Sequence, residues 1–203
     1  MNSTQQNDKY FLQFSKIKLW DEMATDIAYF LLSQGYETIM DKIDLTCGAI
    51  PQGEYELVID QGAPQQFLTF YTHIAEFRFA VAVTEALKMN KDYWVAIKKY
   101  CYDKGKVFRP EKFANIQAAY DLLDCCILDG TGDEDTKKIT VAEQDKIVWE
   151  KLIDTHENYW QKAGSPVDIY YDLQSCFILG ILNESSIKFA NEENKIFTLS
   201  CEN

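Results

Sequence analysis

The chain has 203 residues, of which 47% are hydrophobic and 14% aromatic, so it can form one domain with a substantial core. Its formal net charge of −12 argues against direct binding to nucleic acid, because that binding requires lysine and arginine on the phosphates. An acidic surface instead favours solubility and attraction to a basic partner. We therefore expect one helical domain over residues 1–203, with the first eight residues, which are polar, flexible.

The first predicted helix spans residues 17–34, where apolar residues recur at intervals of three and four and so share one face. Gly35 follows it as a helix stop, and a shorter helix is predicted over 37–45. Alternating β-forming residues predict a short strand at about 54–59, and a similar pattern predicts another at 195–201. These two segments are candidates for a minor two-stranded β element.

A long helix is predicted from Pro64 onward, and it is apolar on nearly every side, so we expect it at the centre of the fold. Another helix is expected after residue 90, and Pro110 is expected in the first turn of the next one. The capping-box pattern TVAE at Thr140 predicts a helix that ends at Gly164, and a last helix follows. The predicted fold is thus mainly all-α, an irregular antiparallel bundle of six to seven helices.

The amino terminus and the cysteines predict a cytoplasmic protein. No basic patch followed by an apolar run opens the chain, and the apolar stretches are too short to cross a bilayer. The six cysteines form no C-x-x-C motif, so we expect free thiols in a reducing compartment. Neither a membrane nor a nucleic acid is an expected partner, and no cofactor is expected.

An acidic, glycine-containing loop, CCILDGTGDEDTKK, lies between two of the predicted helices. Its acids are Asp129, Asp133, Glu134 and Asp135. A calcium loop that started at Asp129 would need glycine where Glu134 stands and glutamate where Thr140 stands, so the pattern disfavours calcium. An ordinary helix–helix loop and a contact surface for a basic partner both remain open.

Two histidines suggest an alternative metal site. His73 and Glu76 are three residues apart on the long predicted helix, a spacing that helical metal sites use. Together with His156 they would form a metal-binding or catalytic site if the fold brought all three side chains together. The other interpretation is that both histidines are structural. No G-x-S-x-G, G-x-G-x-x-G or P-loop motif indicates another chemistry.

These observations favour a non-catalytic protein that binds another protein. A specific hypothesis is an inhibitor of the immunity or antitoxin type, whose acidic surface is attracted to a basic toxic effector and covers its active site. The expected contact residues are the four loop acids with Tyr170 and Tyr171, because tyrosine buries a large area at small entropic cost. The alternatives are a small helical metal-binding enzyme that uses His73, Glu76 and His156, and a helical peptide-binding scaffold.

Overall fold

The computed structural model describes residues 3–132 and 134–201, and in these ranges the protein is mainly helical with one four-stranded antiparallel sheet. Its helices are α1 (Ser3–Ser33), α2 (Ile39–Cys47), α3 (Tyr55–Val58), α4 (Pro64–Met89), α5 (Tyr93–Val107), α6 (Ile116–Cys126), α7 (Glu157–Ala163) and α8 (Asp168–Ile181). Its strands are β1 (Lys137–Ala142), β2 (Lys146–Lys151), β3 (Ile187–Glu192) and β4 (Ile196–Cys201). The flexibility expected of the first eight residues stays a prediction; Met1 and Asn2 lie outside the described residues.

Helix α4 is the centre of the fold, as its apolar surface predicts. It begins at Pro64, packs along α1 and is buried over most of its length. Trp20 of α1 meets Phe79 of α4 edge to face, with 5.0 Å between the ring centroids, and both rings are almost fully buried. A helix that is apolar all round therefore has neighbours on several sides.

Helices α5 and α8 pack at a backbone-to-backbone distance that only glycine allows. Gly105 of α5 faces the carbonyl oxygen of Phe177, and Gly180 of α8 faces the carbonyl oxygen of Tyr102. A methyl group at either glycine would overlap the opposite main chain. These two residues thus set the distance between the helices.

The four described strands form the sheet in the order β1-β2-β4-β3, with every neighbouring pair antiparallel. Buried residues alternate along the two central strands: Ile147 and Trp149 in β2, Phe197 and Leu199 in β4. The Trp149 ring packs edge to face on Tyr120 of α6, with 5.2 Å between centroids. One face of the sheet therefore packs on the helices, and the other is exposed or half-buried.

The segment at 54–59 is the helical turn α3 and not the predicted strand. Tyr55, Val58 and Ile59 turn toward the core and the residues between them are exposed, which is helical spacing. The Tyr55 ring packs against Phe14 of α1, with 5.7 Å between centroids. The strand prediction is wrong because so short an apolar pattern fits either structure, and contact with α1 decides between them.

The prediction of a long helix from Thr140 is also wrong. This segment forms the β1–β2 hairpin and then the short helix α7, which Gly164 ends in the left-handed conformation as predicted. Apolar residues come here in adjacent pairs, such as Val148 and Trp149, so they satisfy helical and strand spacing alike. The predicted strand at 195–201 is confirmed as β4, but it pairs with β2 and β3.

Pro110 lies ahead of α6 rather than in its first turn. The helix begins at Ile116, and the Asn115 side chain caps it by accepting a hydrogen bond from the Ala118 amide at 2.8 Å. The described ranges hold eight helices rather than six or seven, because α3 forms where a strand was predicted, and α7 is what remains of the helix predicted from Thr140. None of these helices combines the length and the apolar composition that crossing a lipid bilayer requires.

Candidate functional site

One cavity of the fold is bordered by several ionisable side chains. It lies between α4, the loop from α6 to β1, and the segment from β2 to α7, and its volume is about 220 Å³. We refer to it as the Glu76 hollow. Its described lining residues are Thr72, His73, Glu76, Gly130, Thr131, Glu134, Ile153, Asp154, Thr155, Asn158 and Tyr159. Three of these are acids, and none of them is lysine or arginine.

Helix α4 supplies one wall of the hollow. Thr72 and Glu76 are four residues apart and therefore lie on the same side of the helix. The Gln13 side chain of α1 donates hydrogen bonds to Thr72 Oγ1 at 2.9 Å and to the Gly130 carbonyl at 3.0 Å. This buried amide fastens α1, α4 and the acidic loop together at the edge of the hollow.

Asp154 shapes the opposite wall. Its Oδ1 accepts hydrogen bonds from the backbone N–H groups of His156 and Glu157, each at 3.0 Å, where α7 begins. Its Oδ2 accepts from Lys151 Nζ at 2.5 Å and from the Tyr171 hydroxyl at 3.0 Å. Burial alone would raise the pKa of Asp154, but the bonds from Lys151 and the His156 amide hold it below its usual range. The turn that these bonds fix directs His156 inward.

Glu76 and His156 form a buried pair, and each residue is 2% exposed. Nδ1 of His156 lies 3.1 Å from both carboxylate oxygens and donates its hydrogen bond to Oε2. Because the ring has one N–H at this position, Oε1 is left without a hydrogen-bond donor among the described residues. The imidazole also stacks on Tyr170, with 3.7 Å between ring centroids.

The protonation of the two groups is coupled. Burial raises the pKa of Glu76, and His156 only partly opposes this. Burial alone would lower the pKa of His156, but the Glu76 carboxylate outweighs it, with help from Asp129 and Asp154, so this pKa is raised. We assign the shared proton to His156 because imidazole is the more basic group. Glu76 is then an ionised carboxylate in a buried ion pair with the imidazolium, and only its Oε2 atom accepts a hydrogen bond from the ring.

These shifts predict a stability that declines as the pH rises. The folded protein holds the His156 proton more tightly than the unfolded chain does. The stability that this proton contributes is therefore complete below the unfolded pKa of about 6.5, and it is lost as the pH rises from there through the higher pKa of the folded state. The pKa of Glu76 is also raised by folding, so its contribution to stability likewise falls as the pH rises above its unfolded pKa of about 4.3. From about pH 6 to about pH 9, we expect the free energy of unfolding to fall more for the wild type than for the Glu76→Gln/His156→Gln variant.

Urea unfolding at several pH values measures this difference. The matched control is His73→Gln, which replaces an exposed histidine and should keep the pH dependence of the wild type. A double variant whose stability changed with pH as steeply as that of the wild type would show that the buried pair does not cause the effect.

The acidic loop is held inward at Asp129. Its Oδ2 accepts a hydrogen bond from Thr136 Oγ1 at 2.9 Å, and its Oδ1 accepts from Thr155 Oγ1 at 3.2 Å. His156 Nε2 lies 4.0 Å from the same Oδ1. Asp129 therefore braces the loop and the buried pair, which leaves it poorly placed to contact a partner.

The other predicted contact residues divide into two groups. Glu134 and Asp135 are exposed, although Glu134 Oε2 accepts a hydrogen bond from the Thr131 amide at 2.9 Å. Asp133 lies outside the described residues. Tyr170 and Tyr171 are buried in the core, so neither ring is available to a partner in this structure.

The three residues of the predicted metal site come together only in part. Glu76 and His156 are in contact, but His73 is exposed and its Nδ1 forms a hydrogen bond with the hydroxyl of Tyr159. Burial, with the nearby Glu76 and Glu134 charges, raises the pKa of Tyr159 to about 12. Residues 3–132 and 134–201 contain no group of three or more histidine, cysteine or acidic side chains arranged to hold a metal ion.

A larger groove runs along α1, with a volume of about 1,090 Å³. The arginine at its floor, Arg78, is already paired with Asp21 and Asp44, and Glu22 on its rim pairs with Lys104. Most of its charges are thus satisfied within the protein. The Glu76 hollow is the better candidate because three acids and no lysine or arginine are among its described lining residues.

Fold and site together define a mainly helical protein with a four-stranded sheet and an acid-lined hollow. Comparison of the chain with protein-family models, curated proteins and solved structures returns no match. Its function is therefore inferred from the geometry and charge of the site.

Proposed function

We propose that this chain is a non-catalytic, cytoplasmic protein-binding protein, an inhibitor of the immunity or antitoxin type that covers a basic surface on a toxic effector. The face around the Glu76 hollow is the proposed contact surface. The observation that carries the proposal is the hollow itself, which is lined by three carboxylates and by no lysine or arginine among its described residues.

The charges beside the hollow favour a basic partner. Five carboxylates lie at and beside it: Glu76, Asp129, Glu134, Asp135 and Asp154. They outnumber the two lysines there, Lys137 and Lys151, and the face stays negative when His73 and His156 are both protonated. Such a field attracts a basic protein and aligns it during the encounter.

Two apolar side chains at the edge of this face are suitable interface anchors. Leu152 and Ile153 are each 52% exposed, and Ile153 lines the hollow. Their backbone N–H groups donate to the Thr136 carbonyl at 2.8 and 3.3 Å, which places them directly beside the acidic loop. Interfaces typically combine such apolar anchors with a polar rim.

The buried pair is better suited to a structural role than to catalysis. His156 Nδ1 is bound to Glu76, and Nε2 lies beside Asp129 at a cavity of about 30 Å³. That volume holds about one water molecule and no substrate. A general base must reach the proton that it removes, and this imidazole is closed off on both sides.

Charge reversal at the loop tests the proposal. We expect Glu134→Lys/Asp135→Lys to bind a captured effector about tenfold or more weakly than the wild type, with a smaller dependence on salt, because the steering charge has changed sign. Isothermal titration calorimetry at two salt concentrations measures both quantities. Co-expression of each variant with the effector measures protection of the cell.

The matched control is Glu143→Lys/Asp145→Lys, which makes the same change of charge at exposed residues in the β1–β2 turn. This turn lies at the far end of the hairpin, about 17 Å along the strands from the loop. If both variants weakened binding equally, the effect would come from net charge alone and not from this face. Unchanged affinity after charge reversal at Glu134 and Asp135 would refute the proposed face.

A further inference from the structure

The groove along α1, with its volume of about 1,090 Å³, follows one whole side of that helix. We refer to it as the α1 groove. Residues of α1 that line it recur at intervals of three and four, and each is exposed or half-buried: Phe11, Ser15, Lys18, Glu22, Thr25 and Tyr29. At 1.5 Å per residue, the stripe from Phe11 to Tyr29 is about 27 Å long. This side of α1 is therefore open to solvent over about five helical turns.

The α1 groove has an apolar floor and an aromatic ring toward each end of the α1 stripe. The apolar side chains that border it include four that are buried in the core: Phe14, Leu19, Ile50 and Tyr55. Phe11 is 53% exposed and packs edge to face on Tyr55, with 5.8 Å between centroids, and Tyr29 is 57% exposed. Large apolar groups exposed along one groove are typical of a contact surface.

The charge around the α1 groove is negative. Its carboxylates are Asp21, Glu22, Asp44, Glu54 and Glu56, and its basic groups are Lys18 and Arg78. Lys104, which pairs with Glu22, leaves this set negative. Glu54 and Glu56 are exposed and have no ion-pair partner among the described residues. A basic partner would therefore meet free carboxylates beside the apolar floor.

Shape and charge together select one kind of occupant. A volume of about 1,090 Å³, open along its length, exceeds the range of about 300–1,000 Å³ usual for cofactors and drug-sized ligands. The carboxylates repel an anionic lipid, and a second copy of the chain, with its net charge of −12, is repelled as well. An amphipathic helix can lay its apolar face along such a groove and keep its polar edges at the rim.

We propose that the α1 groove is a docking site for a cationic amphipathic helix of another protein. The apolar side chains of that helix pack between Phe11 and Tyr29, and its lysine or arginine side chains pair with Glu54 and Glu56. No residue lines both this groove and the Glu76 hollow. The inference therefore goes beyond the proposed function and does not depend on it.

A designed peptide tests the inference on the wild-type protein. The probe is a capped peptide of about 18 residues, long enough for the groove, with leucine at intervals of three and four and lysine elsewhere. We expect it to shift the backbone NMR signals of Ser15, Thr25 and Tyr29. It should bind about tenfold or more tightly than a peptide of the same composition whose leucines do not share a face, and than a peptide with glutamate in place of lysine.

Substitutions in the groove test the two parts of the surface separately. Phe11→Ala should weaken binding of the leucine–lysine peptide about tenfold or more, and its control is Phe70→Ala, which removes a ring that is 58% exposed outside the groove. Glu54→Lys/Glu56→Lys should weaken binding about threefold or more and reduce its dependence on salt. Its control is again Glu143→Lys/Asp145→Lys, at exposed residues outside the groove.

The wild-type titrations decide the question if a variant does not fold. Absence of binding, equal binding of either control peptide, or shifts confined to Thr131 and Thr155 of the Glu76 hollow would each overturn the inference. So would equal weakening by a groove variant and its control. A dimer in analytical ultracentrifugation that Phe11→Ala dissociates would assign the groove to a second copy, and displacement of the peptide by palmitate would assign it to a lipid; both results would also overturn it.

Discussion

Replacement of Gly180 by alanine is expected to destabilise the protein by about 3 kcal/mol, although alanine is the better helix former by about 1 kcal/mol. The added methyl group would overlap the Tyr102 carbonyl oxygen on α5. This obstacle is main chain and cannot move aside like a flexible side chain, so α5 and α8 must separate. Separation loosens the packing of buried residues on both helices, including Ile97 and Phe177.

Urea unfolding of Gly180→Ala against Gly62→Ala measures the effect. Gly62 is exposed, and the nearest atom to an added methyl is the side-chain Oδ1 of Asp60 at 3.3 Å, so this control should stay within about 0.5 kcal/mol of the wild type. Gly105→Ala should resemble Gly180→Ala, and the double variant should lose less than the sum, because the first methyl already parts the helices. Equal stability of Gly180→Ala and Gly62→Ala would contradict the close approach.

Removal of the Arg78 charge is expected to cost about 3–5 kcal/mol, because it leaves a buried carboxylate without its partner. Nε of Arg78 donates to Asp21 Oδ1 at 2.6 Å, and Nη1 donates to Asp44 and to the Gly48 carbonyl, the latter at 2.7 Å. The side chains of Arg78 and Asp21 are only 6% and 7% exposed. One guanidinium therefore fastens α4 to α1 and to the end of α2.

The variant Arg78→Met tests this expectation, with Lys99→Met as its control. Lys99 pairs with Asp103 on the exposed surface of α5, where water screens the charges, so its loss should destabilise the protein far less than the loss of Arg78. Addition of Asp21→Asn to Arg78→Met should restore part of the lost stability, since the stranded charge is then removed as well. If Arg78→Met were as stable as Lys99→Met, the buried ion pair would not contribute to the fold as proposed.

Strong local patterns predicted the central helix and two helix ends, although α1 begins at Ser3 and not at residue 17. The long apolar segment after Pro64 is the central helix α4, and Gly35 and Gly164 follow the ends of α1 and α7 as expected. These features depend on residues close together in the chain. Apolar spacing selects a helix, and a left-handed glycine satisfies its last carbonyl groups.

The region between residues 137 and 163 shows where local patterns are ambiguous. Two capping-box patterns occur in it, one at Thr140 and one at Asp154, each with glutamate three residues later. Only the second begins a helix, because the first lies in β1, where hairpin formation and contact of Trp149 with α6 stabilise the extended chain. The choice of the wrong pattern also hid the role of Asp154 at the hollow.

What the sequence by itself determined is the acidic balance, the mainly helical class, the central helix, and the naming of Glu76 and His156 as candidates for one site. Only the tertiary structure decided that these two residues, 80 positions apart in the chain, are in contact. It also decided that His73 is not part of their pair but bonds to Tyr159, and that Tyr170 and Tyr171 are core residues. Periodicity is a property of neighbours along the chain, so it specifies a helix and its apolar face. A contact between distant residues depends on how all the faces pack together, and that packing leaves one oxygen of Glu76 without a donor.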